Sequence, residues 1–161
     1  LNPVYCTFAE MPTTPHKTPV SVLVVIHTPD LQVLLMERAD HPGYWQSVTG
    51  SQNPGETLRK TAIREAAEET GINTSQFLLT DWNKQNVYEI YPEWRHRYAP
   101  GVTHNTEHVW GLMLPAPLPV KLSEHEHLRF AWHPYLEAAQ RCFSPSNAEA
   151  ILSLPQRLAS T

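Results

Sequence analysis

The stretch REAAEETGI, residues 64–72, places Glu65, Glu68 and Glu69 within five positions of one another. On a helix these residues stand at i, i+3 and i+4, so their side chains share one face. Like charges four apart cost about 0.2–0.5 kcal/mol per pair even when exposed, and a tighter cluster costs more unless a cation joins it. Either water screens the cluster as a solvated charge face, or a metal ion completes it. Carboxylates are the hard oxygen ligands that Mg²⁺ prefers, so the chemistry on offer is that of a carboxylate-held cation.

The elements around the cluster bear on that choice. Residues 57–69 have helical composition; Asn53-Pro54-Gly55 makes a sharp turn before them and Gly71 supplies a stop. At about 100° per residue, Leu58, Ala62 and Ala66 span roughly 80° of this helix, and Glu65 and Glu69 project immediately beside the stripe. These carboxylates border the core, whereas a decorative charge face more often lies opposite it. VSVLVVIH (20–27) and LQVLLMERA (31–39) read as a strand pair across a Thr-Pro-Asp turn, with order beginning near Pro19, and WQSVTGS (45–51) reads as a shorter strand. NVYEIY (86–91) and HVWGLML (108–114) are further strands flanking PEWRHRYAPGVTHNTE, which is too long for a simple hairpin turn. LPAPLPVKL (114–122) is an extended connector, and LEAAQRC and NAEAILSL carry helical composition.

With 161 residues and 41% hydrophobic composition, the chain is expected to form one compact domain over residues 17–161. The Pro- and Thr-rich opening, 1–16, reads as a flexible leader, and Met11 stands at a sensible distance before Lys17 for a native start. A net charge of −4 with 12 scattered Lys and Arg residues argues against nucleic-acid binding, and an anionic substrate would need help from metal ions. Cys6 and Cys142 make neither a disulfide framework nor a metal motif, which suits a reducing cytosol. No apolar run reaches the ~18–20 residues of a membrane span, so a cytoplasmic location without membrane partners is expected.

Taken together, residues 50–72, GSQNPGETLRKTAIREAAEETGI, closely resemble the Nudix box, Gly-x5-Glu-x7-Arg-Glu-U-x-Glu-Glu-x-Gly-U, with U a bulky aliphatic. Gly50, Glu56, Arg64, Glu65, Glu68, Glu69, Gly71 and Ile72 fall in register, a match that chance gives roughly once in 10⁸ starting points. Ala66 at the first U is the one departure, apolar but small. The resemblance implies an α/β fold, the Nudix-type α/β/α sandwich with a central mixed sheet and the loop-helix of the box. It implies pyrophosphohydrolase activity with Mg²⁺, for which Mn²⁺ substitutes. It also implies Glu65, Glu68 and Glu69 as metal ligands with the Gly50 carbonyl as a further one. Arg64 belongs to the same catalytic constellation, and Glu56 pairs with it to brace the loop. The water-activating base is Glu65 or Glu68.

A narrower resemblance covers KTPVSVLVVI (17–26), YWQSVTGS (44–51), RHRYAPGVTHNTE (95–107) and SEH (123–125), segments similar to the Nudix enzymes that cleave dihydroneopterin triphosphate in bacterial folate synthesis. It implies a small-molecule triphosphate as the partner, with no protein partner evident. It implies Glu124 as an additional metal ligand from a loop, and Lys17, Arg38, Thr49 and Ser144 as substrate contacts. Lys and Arg suit phosphate, the first as a mobile point charge and the second as a planar fork. Ser144 equally suits a helix N-cap. Trp45, Tyr88, Tyr91, Trp94 and Tyr98 could pack or stack on a flat ring; Arg95 and Arg97 could steer a triphosphate or be solvated. His125 and His127 form a His-x-His that lacks the further ligands of a zinc site. Two alternatives stay open: a broad nucleoside triphosphate pyrophosphohydrolase, and a non-catalytic binding module of the same fold.

Overall fold

The computed structural model describes residues 15–160, so most of the expected leader, with Met11, lies outside the described residues. Backbone pairing starts earlier than Pro19: the Lys17 amide donates to the Arg97 carbonyl at 2.8 Å, and Lys17 bridges Tyr98.

The β-branched run after Pro19 forms β1 (Val20–His27), and its alternation divides the core in two. Val22, Val24 and Ile26 enter one buried cluster with Leu34, Met36, Ala62 and Leu112. Leu23 and Val25 enter another with Val33, Leu35, Val109, Ala138, Ala150, Ile151 and Leu154. A strand apolar on both faces must be covered on both. The first cluster is closed by α1 (Leu58–Thr70) and the second by α2 (Tyr135–Arg141), α3 (Pro145–Leu152) and α4 (Leu154–Ala159). The chain is an α/β/α sandwich, as expected. The 114–122 connector packs Leu118, Val120 and Leu122 onto the first cluster.

The sheet is mixed. β1 runs parallel to β6 (His104–Met113), which pairs antiparallel with β5 (Leu78–Glu89). The β1–β2 pair is looser than the sequence suggested, because β2 (Gln32–Arg38) meets β1 only at His27↔Val33. The two strands then splay, β1 taking β4 (Val48–Ser51) as its antiparallel neighbour while β2 takes β3 (Trp45–Gln46) and β7 (His127–Pro134). The expected single strand 45–51 is therefore two strands on different partners. They separate at Ser47, whose amide donates to Asn147 Oδ1 at 2.8 Å.

Three other expectations are corrected. β5 begins at Leu78, well before Asn86; its register shifts between Asp81 and Lys84, where Asn83 takes a left-handed φ of 52° and donates its amide to Asp81 Oδ1. Residues 92–97 of the long loop form a 3₁₀ turn begun by a proline. β7 went unread because its alternation is masked by histidines and an arginine; its Phe130 and Trp132 pack on the first cluster.

Local signals fix α1 as expected. The Thr57 hydroxyl accepts from the Lys60 amide at 3.2 Å, and Gly71 closes the helix at φ 73° with its amide on the Ala67 carbonyl. Ala62 and Ala66 are fully buried, so the small residue at the box's first apolar position is packed rather than loose.

Candidate active site

α1 presents its glutamates in two environments. Glu65 and Glu69 are 8% and 3% exposed, whereas the Glu68 side chain is 54% exposed at the rim. Arg64 ties the helix to the preceding loop. Its Nε and Nη2 donate to the two carboxylate oxygens of Glu56 at 2.8 and 2.9 Å, and Nη2 also reaches the Ser51 carbonyl at 2.9 Å. Its Nη1 donates to Glu65 Oε1 at 2.7 Å and Glu68 Oε2 at 3.3 Å. Glu56 further accepts from Thr61 and from the Asn53 amide, and the Arg64 guanidinium lowers its pKa to about 2. The fork-shaped guanidinium serves five acceptor oxygens on four residues at once, which a lysine could not do.

The strand below is equally constrained. The Thr49 amide donates to Glu69 Oε2 at 3.2 Å, and Gly50 leaves room for the Glu65 carboxylate. Burial pushes the Glu65 pKa up to about 7 against the pull of Arg64. Glu69 is raised well above an ordinary carboxyl, first by burial and then by the charges of Glu65 and Glu126. Glu69, Glu126 and His127 bring donor atoms within 4.8 Å of one another. Buried, mutually repelling carboxylates served by a single arginine make a donor set that suits a hard divalent cation.

Glu65, Glu69, Glu126 and His127 line a cavity of about 960 Å³. Lys17, Arg38, Thr49 and Ser144, which the family resemblance implied as substrate contacts, all line it. The cavity walls and nearby Arg97 lower the Lys17 pKa, the first by desolvation. Arg38 holds Asp40 with two bonds of 2.7 Å, donates to Gln46 Oε1 at 3.1 Å and lies 4.4 Å over the Trp94 ring. Thr49 Oγ1 donates to the Val22 carbonyl at 3.1 Å. Ser144 stands at the N-cap of α3 but makes no side-chain cap bond; its hydroxyl meets that of Ser146 at 3.1 Å. Tyr91, Trp94 and Phe143 form an aromatic wall, with ring centroids 5.3–6.1 Å apart.

The NUDIX domain profile matches residues 17–154. The chain belongs to the Nudix family. It is 44% identical over 139 residues to the dihydroneopterin triphosphate diphosphatase of Escherichia coli, covering 84% of this chain and 91% of that one. It is 42% identical to the enzyme of the same name from Haemophilus influenzae, over 84% and 87%. In structure it resembles the E. coli dihydroneopterin triphosphate pyrophosphohydrolase with a TM-score of 0.81 at 43% identity, covering 86% of this chain and 95% of the other.

The Nudix loop-helix is assembled as its sequence implied, and the loop before β7 reaches the site, but not through Glu124. Both glutamates are exposed, but only Glu126 lines the cavity, beside Glu69. SEHEH contains Glu-His twice, and only the start of β7 at His127 decides between them. Burial, with nearby Arg38, lowers the His127 pKa to about 4.

Among the aromatic candidates, Tyr88, Tyr91, Trp94 and Tyr98 line the Nudix cavity, whereas Trp45 packs in the second core under Arg129. Arg97 faces the cavity and bonds Asp40 at 3.0 Å; Arg95 is held by Glu89 and the Ile90 carbonyl. Sequence reading missed Phe143, Asn105, Glu107 and Ser146 as wall residues. The signal for two of them was present, since Asn105 and Glu107 alternate on one strand face, polar where Val109 and its neighbours are apolar.

Proposed function

We propose that this protein hydrolyses dihydroneopterin triphosphate to dihydroneopterin monophosphate and pyrophosphate with Mg²⁺, a cytoplasmic step of folate biosynthesis. The observation that carries this reading is that one cavity is lined by Glu65, Glu69 and Glu126, by Lys17 and Arg38, and by Tyr91, Trp94 and Phe143. A triphosphate tail and a flat bicyclic ring fit such a set of surfaces. The identity to enzymes named for this substrate supports it.

Glu69 and Glu126, flanked by Glu65, Glu68 and the Gly50 carbonyl, would hold the metal, with Glu126 in the place expected for Glu124. When bound, Mg²⁺ neutralises phosphate oxygens and acidifies a water. Arg64 orients Glu65 and Glu68 through one nitrogen, and either carboxylate can take the proton of the attacking water. Water oxygen bonds to phosphorus, the bridging P–O bond breaks, and pyrophosphate or the monophosphate leaves with the electron pair. Lys17 and Arg38 bind phosphate oxygens, and Thr49 and Ser144 offer hydroxyls nearby. Glu56 acts on this chemistry only by fixing Arg64.

Pyrophosphate release across a panel of triphosphates tests the reading. We expect kcat/KM for dihydroneopterin triphosphate to exceed that for ATP or dATP at least about tenfold, equivalent to roughly 1.4 kcal/mol. Equal values would leave a broad nucleoside triphosphate pyrophosphohydrolase, and no turnover of any triphosphate would leave a binding module.

A further inference from the structure

The end of the cavity at β6 holds a polar arrangement that the hydrolytic chemistry does not use. Glu107 is buried on β6, between the end of β5 and the N-terminus of α3. Its Oε1 accepts from Ser146 Oγ at 2.8 Å and Asn86 Nδ2 at 3.4 Å. Two residues earlier on the same strand face, Asn105 donates its amide hydrogens to Ser21 Oγ at 2.8 Å and the Tyr88 hydroxyl at 3.0 Å. Those bonds fix the amide orientation, which leaves the carbonyl Oδ1 as the group to be satisfied. That oxygen is buried and has no hydrogen-bond partner among the described residues. Both residues line the cavity, as do Tyr88, Asn86 and Ser146.

Burial of a carboxylate and an unpartnered carbonyl side by side is costly, because each acceptor gives up its water without full replacement. The arrangement is acceptor-rich, so the partner that satisfies it must be rich in donors. A dihydropterin has such an edge, because its pyrimidinone ring places a ring N–H beside a 2-amino group and its second ring carries another N–H. Adenine has one amino group flanked by ring nitrogens that are acceptors, and these would face Glu107 and Asn105 with lone pairs opposed.

We propose that Glu107 and Asn105 are the specificity-determining pair of this enzyme, reading the donor edge of an amino-pyrimidinone ring while Tyr91, Trp94 and Phe143 cover its face. The inference rests on the pterin reading of the cavity and deepens it. Ser146 and Asn86 position the carboxylate, and Tyr88 and Ser21 position the amide. Burial raises the Glu107 pKa, and donors from the bound ring would favour the ionised form that accepts them.

Glu107→Gln tests this at nearly constant shape, because it replaces one acceptor oxygen by a donor. kcat/KM for dihydroneopterin triphosphate should fall at least about tenfold, while that for dATP stays within about threefold, as expected when a polar reading group is lost. Calorimetric Kd for dihydroneopterin monophosphate should weaken by a similar factor. dATP turnover reports that the variant is folded. Should it fail to fold, Asn105→Ala removes the carbonyl acceptor and carries the same expectation. Equal losses on both substrates, or an unchanged pterin rate, would overturn the assignment. A wild-type enzyme without preference for the pterin would instead overturn the proposed substrate, so the two failures are separable.

Discussion

Gly50 lies directly against the carboxylate of Glu65: a methyl group added to its α-carbon would fall 2.0 Å from Glu65 Cδ. The group it would strike is the end of a flexible side chain, so Gly50→Ala can fold by swinging Glu65 aside. We expect a stability loss of about 1–3 kcal/mol, the range for a methyl group forced into an occupied position. Turnover should nevertheless fall on the order of 10²-fold, the scale for losing one preorganised charge contact. Near-wild-type kcat in a well-folded Gly50→Ala would show that Glu65 can leave its place without consequence.

Glu124 and Glu126 separate cleanly by substitution. Glu126→Gln should lower kcat by about 10²-fold or more and weaken Mn²⁺ binding measured by electron paramagnetic resonance, whereas Glu124→Gln should leave both nearly unchanged. The reverse outcome would return the ligand to Glu124.

Stability without divalent ions should depend on pH in an unusual direction. Burial raises Glu65 to about 7 from an ordinary 4.5 and also raises Glu69 well above the ordinary value. The folded protein therefore holds protons that the unfolded chain has released. This contribution is fully present below about pH 4.5 and is lost as pH rises through about 7. With a chelator present, Tm should drop between pH 5 and 7.5, and added Mg²⁺ should recover the loss at the upper end. A Tm that is flat across this range in chelator would contradict the burial of these carboxylates.

Glu56 is a structural member of the site, and its loss should register in stability as well as rate. Glu56→Ala removes both bonds of the Arg64 fork and leaves the guanidinium half-buried without its main partner. Urea unfolding should show a loss of about 1.5–3 kcal/mol, the range for hydrogen bonds to charged groups. An undiminished midpoint would mean that Ser51, Glu65 and Glu68 suffice to hold Arg64.

The legible parts of the molecule were those set by local chemistry. The Asn53-Pro54-Gly55 turn, Gly71 and the Leu58–Ala62–Ala66 stripe announced α1, and the resemblance to the box implied a Glu56–Arg64 pair that the structure closes at 2.8 Å. Lys17, Arg38, Thr49 and Ser144 were reached through family resemblance, since nothing in their own neighbourhoods says that they meet in one cavity. What was illegible depends on pairing across the sheet. Ser47 divides two strands because of Asn147, a hundred residues away. β7 carries histidines and an arginine, and where it begins decides that Glu126 rather than Glu124 lines the cavity. Phe143 lies in a loop between helices, where one aromatic residue has no pattern to betray its use.

The shared strand β1 has a geometric consequence for bond selection. Ser21 faces Ser51 across one side of β1 and Glu107 across the other. Neighbouring strands lie about 4.8 Å apart, so the loop that carries the box and the strand that carries Glu107 are held roughly 10 Å apart by main-chain spacing. That distance behaves as a gauge with fixed jaws. On the proposed reading, a ligand seated by its ring at Glu107 would deliver to the other jaw whichever phosphorus its tail length dictates, within the reach of the side chains on either side. Exchange of the aromatic wall would then change which rings are admitted, while the position of the cut along the phosphate chain would change only if the sheet itself were rebuilt.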